Sequence, residues 1–435
     1  MPRKFKQAEW LASSVCTGAW ERAAVAERLA RALPADGPDP VALAASIRNR
    51  FYEDGPPNLK ALTLFLIDHP LLQPVFQKGG IRGLLLDPPV MGRRQDNLAP
   101  LQLPELPTLR DVGLWLCLSD AEISWFADTR LRQGRVTEEK LHHYRYLWIP
   151  KRSGGIRLIE TPKVRLKEIQ RMIVSRILRH VPPHDSAHGF TRGRSIKTFA
   201  APHLRQQVVL RLDLKDFFHS VPVARIAALF RRLGYPPNAA RVLQGFCTNS
   251  VSPSLAGKPF TRLSWHDRKR LQGRHLPQGA PTSAQLANLC AWGLDCRLKG
   301  LADHYGYQYT RYADDLAFSG PSSLAGRARF IEALTGAIAQ EEGFSLNHRK
   351  TRLRLASQRQ RLAGVVVNER VNCSRADWDR LKATLHNCVK HGPESQNHDK
   401  HPDFKAHLKG RVTHAAWLNP SRGGKLQFLF NQIVW

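Results

Sequence analysis

Two stretches of the chain carry the hydrophobic pattern of a β-strand, one as an apolar run and one with period two, and both meet aspartate. Val208-Val-Leu-Arg-Leu-Asp213 is an apolar strand that ends on Asp213. Further on, Tyr307, Tyr309 and Arg311 share one face of an extended segment, Leu316 and Phe318 do the same after a turn, and Tyr312-Ala-Asp-Asp315 lies between them. The second pattern predicts a β-hairpin with Asp314 and Asp315 at its tip. Elsewhere the apolar positions follow the helical period. Trp10, Leu11, Val15, Trp20, Val25 and Leu29 recur at helical spacing, and Leu59 to Phe76 forms an apolar-rich helix broken near Pro70. Pro34-Ala-Asp-Gly-Pro-Asp-Pro and Gly55-Pro-Pro separate these helices, and the Pro-rich run from Asp87 to Pro107 reads as a linker.

From Thr108 two short helices follow, the second with Ser119 and Glu122 spaced for a capping box. Tyr144 to Lys151 and Gly154 to Glu160 predict two strands around a Ser-Gly-Gly turn. Val164 to Val181 is amphipathic, with Ile169, Met172, Ile173, Ile177 and Val181 as the apolar stripe and Arg165, Lys167, Arg171 and Arg179 largely off it. Helices are expected over Val223–Leu233, Ser283–His304 and Ser323–Glu342, the last capped by Gly343. Asn249 to Arg274 reads as an irregular basic insertion, and Phe344 to Leu355 as extended. In the C-terminal part helices alternate with basic loops, and Phe428, Phe430 and Trp435 are expected to pack inward.

Charge narrows the chemistry. Lys and Arg number 66 against 36 Asp and Glu, a formal charge of +30, which self-repels unless a polyanion neutralises it. Nucleic acid is the natural partner. Adjacent carboxylates at a hairpin tip are stable as ions only when exposed, hydrogen-bonded or bound to cations. Asp is also an ordinary turn residue, so the pair alone is weak evidence. Together with Asp213, however, the pair could hold two divalent ions about 3.5–4 Å apart, the arrangement used for phosphoryl transfer on nucleic acids. Seven scattered Cys form no disulfide framework, and Cys373, Cys388, His386, His391, His398 and His401 fit no common zinc spacing. Apolar runs such as Ala61 to Ile67 fall far short of the ~20 residues of a membrane helix. The basic N-terminus is followed by no apolar signal core, so a cytoplasmic location is expected.

These residues resemble a known family. Tyr312-Ala-Asp-Asp315, Asp213 after its strand, and Leu276-Pro-Gln-Gly-Ala-Pro-Thr-Ser283 are similar to the catalytic motifs of bacterial reverse transcriptases, most of all the retron type. The resemblance implies an α+β right-hand polymerase: a mainly helical N-terminal extension over 1–107, fingers over 108–207, a ferredoxin-like split βαβ palm over 208–367 with an insertion around 249–275, and a thumb over 368–435. It implies Asp213, Asp314 and Asp315 as catalytic ligands of two Mg²⁺, with Mn²⁺ as substitute. Lys151, Arg157, Phe218, Gln278, Gly279 and Lys350 would meet the incoming dNTP, Phe218 as a gate against the ribose 2′-hydroxyl; Arg152 competes with the first two, and adjacent Phe217 with Phe218. Arg192, Arg194, His203, Lys409 and Arg411 would contact nucleic acid. The partners implied are a cognate structured non-coding RNA, its DNA product and an effector protein; the products are branched multicopy DNA primed from a 2′-hydroxyl, in anti-phage defence. Two family features differ here: Phe199-Ala-Ala-Pro-His203 lacks the usual leading Asn, and Leu362-Ala-Gly364 keeps only the Gly of Val-Thr-Gly. A reverse transcriptase of another lineage, such as an intron relative, and a non-catalytic RNA-binding scaffold are the alternatives.

Overall fold

The computed structural model describes residues 3–52, 56–81, 88–92, 98, 100–133, 136, 138–151 and 154–435. Residues 87, 93–97 and 99 of the expected linker, and Arg152 and Ser153 of the first hairpin, lie outside the described residues. The chain divides into two compact units, Met1–Pro182 with Val221–Leu286, and Pro183–Ser220 with Ala287–Trp435.

The first unit opens with helices Arg3–Val15, Arg22–Ala32, Pro40–Arg50, Leu59–Asp68 and Gln73–Lys78. Their apolar stripes enclose one core, with Leu11, Val15, Leu29, Leu43, Ile47, Leu62 and Leu66 fully buried, each worth about 1.5–3 kcal/mol of hydrophobic stabilisation. Asp39 caps its helix by accepting from the amides of Val41 and Ala42, with Pro40 filling the first helical position. The helices Leu109–Leu116 and Asp120–Ala127 both start with full capping boxes, Thr108 with Asp111 and Ser119 with Glu122. Strands β1 (Tyr144–Pro150) and β2 (Ile156–Pro162) pair antiparallel from Tyr144 opposite Pro162 to Pro150 opposite Ile156.

Helix Val164–Arg176 buries Leu166, Ile169, Gln170 and Ile173, whereas Met172 is exposed. Of the expected stripe Ile169, Ile173, Ile177 and Val181 are buried and only Met172 is not; Gln170 turns inward as well, donating two hydrogen bonds, to the Tyr144 hydroxyl and the Phe246 carbonyl, both 2.8 Å. The segment read as irregular holds three short helices, Pro253–Ala256, Lys258–Thr261 and Trp265–Gln272. They bury Val251, Ala256, Phe260 and Leu271 against Leu158, a sparse apolar set that the surrounding basic residues hide in the sequence.

The second unit is built on a four-stranded antiparallel sheet. Its strands are β3 (Val208–Asp213), β4 (Gln308–Tyr312), β5 (Asp315–Gly320) and β6 (Arg352–Leu355), in the spatial order β4-β5-β3-β6. Leu210, Leu212, Leu316 and Phe318 line one face and are fully buried. The predicted helix from Ser283 is two, Ser283–Cys290 and Trp292–His304, and Ser323–Glu341 follows the hairpin, ending before Gly343 at φ 75°. A tight turn through Ala363 and Gly364, both at positive φ, joins strands β7 (Arg361–Leu362) and β8 (Val365–Val366).

Helices Arg375–His391, Phe404–Leu418 and Pro420–Asn431 complete the unit around Leu381, Leu385, Leu408, Val412, Leu426 and Phe430. Of the terminal aromatics only Phe430 is buried, since Phe428 falls on the opposite side of the helix, and Trp435, beyond its end, is 40% exposed. Asn419 alone separates the last two helices, and a Cβ on Gly423 would lie 2.1 Å from the Ala416 Cα, so their backbones touch. Among the described residues no helix is long and apolar enough to cross a membrane.

Candidate active site on the four-stranded sheet

Antiparallel pairing sets Asp213, the last residue of β3, directly opposite Asp315, the first of β5. Cross-strand partners project to the same face of a sheet, so the two carboxylates share one surface. Asp314 immediately precedes Asp315 in the β4–β5 turn, after Ala313 at φ 56°. The strand ends are fixed by backbone bonds. The Leu214 amide donates to the Asp314 carbonyl (2.8 Å) and the Asn347 amide to the Asp213 carbonyl (2.7 Å).

Two cations of the chain compensate this acidity. Arg211, two residues before Asp213 on the same face, donates from Nε (2.9 Å) and Nη2 (2.5 Å) to Asp315 Oδ1, and Lys350 Nζ lies 2.9 Å from Asp213 Oδ2. Burial, followed by the charges of Asp315 and Asp213, pushes the Asp314 carboxyl up to about 6. Burial also raises Asp315, against the opposing pull of Arg211. An all-oxygen donor set in which a buried carboxylate resists ionisation suits a hard divalent cation such as Mg²⁺ or Mn²⁺. Asp213, Asp314 and Asp315 are the residues that fit it.

Phe217 and Phe218 belong to a one-turn helix, Phe217–Ser220, and not to a continuing strand. Phe217 turns inward, its ring stacked on Phe344 at 5.6 Å, and Phe218 stays half-buried with its ring 6.1 Å from Phe190. Two expected nucleic-acid contacts have other partners. His203 is fully buried, its Nδ1 2.6 Å from the Ser319 hydroxyl and its Nε2 2.7 Å from the Thr310 hydroxyl, so it ties the segment before β3 to β4 and β5 and offers no surface to a ligand. Arg194 donates from Nη1 to the carbonyls of His184, Asp185 and Ala187 and from Nη2 to the Asp185 carboxylate, each 2.8 Å, and so shapes its own loop. Arg192 is exposed; on helix Phe404–Leu418 Lys409 is exposed and Arg411 half-buried.

The remaining expected dNTP contacts lie in the first unit. Arg157 is exposed on β2 and Lys151 half-buried just after β1. The Gln278 carbonyl accepts from the Glu160 amide at 2.8 Å, and Gly279, at φ 128°, comes so close that a Cβ there would sit 2.9 Å from the Glu160 carbonyl. Glu160 is itself fully buried, 2.9 Å from His275 Nε2 and 2.7 Å from Asn249 Nδ2.

A further group escaped the sequence reading. Arg311, expected only as a strand residue, is fully buried and forks onto Asp295, Nε to Oδ1 at 2.8 Å and Nη2 to Oδ2 at 2.6 Å. An Arg on the same strand face as Tyr307 and Tyr309 was the available signal; its partner, in a helix well before it, was not readable.

Comparison with known proteins gives the family. Residues 149–372 match the reverse transcriptase (RNA-dependent DNA polymerase) family. The chain is 40% identical over 330 residues to the retron Mx65 reverse transcriptase of Myxococcus xanthus, covering 76% of this chain and 73% of that one. It is 33% identical over 344 residues to the retron Mx162 reverse transcriptase of the same organism, covering 76% and 68%. To the retron Ec86 reverse transcriptase of Escherichia coli it is 31% identical over 234 residues, covering 53% and 65%. The chain belongs to the bacterial retron-type reverse transcriptases and is an RNA-directed DNA polymerase.

Proposed function

We propose that the carboxylate face of the sheet is the polymerase centre, with Asp213, Asp314 and Asp315 holding two Mg²⁺ ions against a growing DNA end. The observation that carries this is the cross-strand placement of Asp213 and Asp315 beside Asp314, whose carboxyl is held near 6 by burial and by their charges. When bound, the ions would activate the attacking hydroxyl and neutralise the leaving pyrophosphate. The chain's own groups orient the rest. Phe218, half-buried after β3, fills the place of a ribose 2′-hydroxyl and so selects deoxynucleotides. Lys350, within reach of Asp213, meets the departing phosphates, as a contact or as the donor of a proton. Lys151 and Arg157 of the β1–β2 hairpin hold the triphosphate, with Gln278 and Gly279 beside the template base and nucleotide.

On this reading the antiparallel sheet β4-β5-β3-β6 is a split βαβ palm, the β1–β2 region the fingers, and the helices from Arg375 the thumb, which grips primer–template phosphates through Lys409 and Arg411. The loop carrying Arg192 approaches the template strand. The template is a cognate structured non-coding RNA, primed from one of its 2′-hydroxyls to give branched multicopy DNA, in the cytoplasm and within an anti-phage system that includes an effector protein. The likeness to retron enzymes supports this part.

The decisive experiment replaces Asp314→Asn together with Asp315→Asn. Mg²⁺-dependent dNTP incorporation is expected to vanish while RNA binding survives; persisting incorporation refutes the site. Sequencing the nucleic acid that copurifies with the protein identifies the template, and a linear DNA product refutes the branched one.

A further inference from the structure

Arg311 is a charge with no access to solvent, and among the described residues its side chain bonds to Asp295, Asn288 and Ala313, all inside the second unit. Its Nη1 donates to Asn288 Oδ1 at 2.8 Å and to the Ala313 carbonyl at 3.2 Å, while the fork onto Asp295 fixes the plane of the guanidinium. The Tyr309 hydroxyl donates to the same Asp295 Oδ1 at 2.9 Å. Replacing a buried ion pair by apolar residues of similar volume is often neutral or stabilising, so stability alone is a weak reason for such a network. Its reach points elsewhere, to the backbone immediately before Asp314.

Ala313 occupies the left-handed region at φ 56°, which costs a residue with a Cβ about 1–2 kcal/mol. Something must hold it there. On one side the Ala313 carbonyl is tied to Arg311. On the other lies the segment from Ser186 to Gly189, joined to β4 by the Arg311 amide donating to the Ser186 carbonyl (2.7 Å) and the His188 amide donating to the Arg311 carbonyl (2.8 Å). Gly189 then presses on the turn so closely that a Cβ would lie 2.6 Å from the Ala313 amide nitrogen. Asn288 closes the ring, donating from Nδ2 to the Gly189 carbonyl at 2.6 Å while its Oδ1 accepts from Arg311.

We infer that Asp295, Arg311 and Asn288 are positioning residues that clamp the left-handed Ala313 turn against Gly189 and thereby aim Asp314 at the metal ions. The inference rests on the carboxylate assignment and deepens it. None of the three touches a reacting atom; they act through the direction of one side chain.

The test uses the full chain with Asn288→Ala, Arg311→Lys and, as reference, Asp314→Asn. Three quantities are read: the rate and the KM for dNTP on a primed RNA template, the affinity for Mn²⁺ without nucleic acid by titration of free Mn²⁺, and the melting temperature. Outer partners of metal ligands typically govern about 10–100-fold of affinity or activity. N288A and R311K should therefore lose at least about tenfold in Mn²⁺ affinity and in kcat, with the KM for dNTP within about twofold of wild type and a melting transition still present. Folded variants that bind Mn²⁺ and turn over like wild type overturn the clamp, as does a loss of activity that merely follows the unfolded fraction. Should R311K not accumulate as folded protein, N288A decides, because it removes one side-chain amide and no charge. An active D314N that still binds Mn²⁺ sinks the carboxylate assignment instead, whereas an inactive D314N beside normal N288A and R311K sinks only the clamp.

Discussion

Asp213 and Asp315 face each other as Cα partners across β3 and β5, and each carries its own cation, Lys350 at 2.9 Å and Arg211 at 2.5 Å. Asp314, beside them, is the carboxylate whose ionisation is most opposed by burial and by like charge. The sign of its effect on stability follows. With the folded carboxyl raised to about 6, the unfolded chain releases this proton first as pH rises, so without divalent ions stability falls between the ordinary carboxylate range and about pH 6. Asp314→Asn removes that penalty. At pH 8 in chelator the variant should melt above wild type, and added Mg²⁺ should raise the wild-type transition more than that of the variant. Thermal melts with and without Mg²⁺ check both; a variant that melts lower in chelator contradicts the argument.

Activity should show the same group from the other side. With Asp314 as a metal ligand, as proposed, protons and Mg²⁺ would compete for it, so incorporation is expected to fall as pH drops through about 6, and the midpoint should move to lower pH as Mg²⁺ is raised. A rate profile independent of Mg²⁺ would remove Asp314 from the titration.

Phe218→Ala opens the space that the ring fills and should admit ribonucleotides, read as a rise of at least about tenfold in the ratio of rNTP to dNTP incorporation. Phe217→Ala makes the contrast: its ring lies stacked in the core on Phe344, so it should lower the melting temperature, by roughly 3–5 kcal/mol in stability, without that change in ratio.

Two buried histidines should respond to pH in opposite senses. Burial pulls His203 down to about 3, so the unfolded chain takes up a proton first and stability is lost as pH falls below about 6.5 toward 3. His275, held by Glu160, is raised despite burial, so its contribution is present below the ordinary histidine range and is lost as pH rises through its folded value. His275→Ala leaves Glu160 buried without this partner and should cost about 3–5 kcal/mol. Denaturant titrations of His203→Ala and His275→Ala beside wild type across pH 4–9 separate the two signs.

Gly423→Ala places a methyl where the Ala416 Cα already lies, and should destabilise by about 1–3 kcal/mol or more through overpacking. Gly424→Ala, whose Cβ would meet nothing within 4 Å, is the control. Equal melting temperatures for the two would contradict the close approach.

The centre of the sheet was legible because β3 is an apolar run that ends on Asp213 and Tyr307 to Phe318 alternates about the Asp314–Asp315 pair, and the Ser119–Glu122 capping box because its spacing is local. Side-chain partnership was not. His203 looks like a surface histidine until Thr310 and Ser319, more than one hundred residues away, are brought to its ring. Arg194 looks like a phosphate ligand until its loop closes on it. Asn249 to Arg274 hid its three helices because its few apolar residues bury against Leu158, which no local pattern announces. The Arg311 fork onto Asp295 was invisible for the same reason: the partners meet only when the helix Trp292–His304 lies on β4.

The last two helices leave little freedom at the C-terminal end. With one capping residue between them and backbone against backbone at Gly423, neither can slide or rotate without the other. Any swing of this end is then that of a single stiff lever, and its pivot has to lie upstream of Phe404.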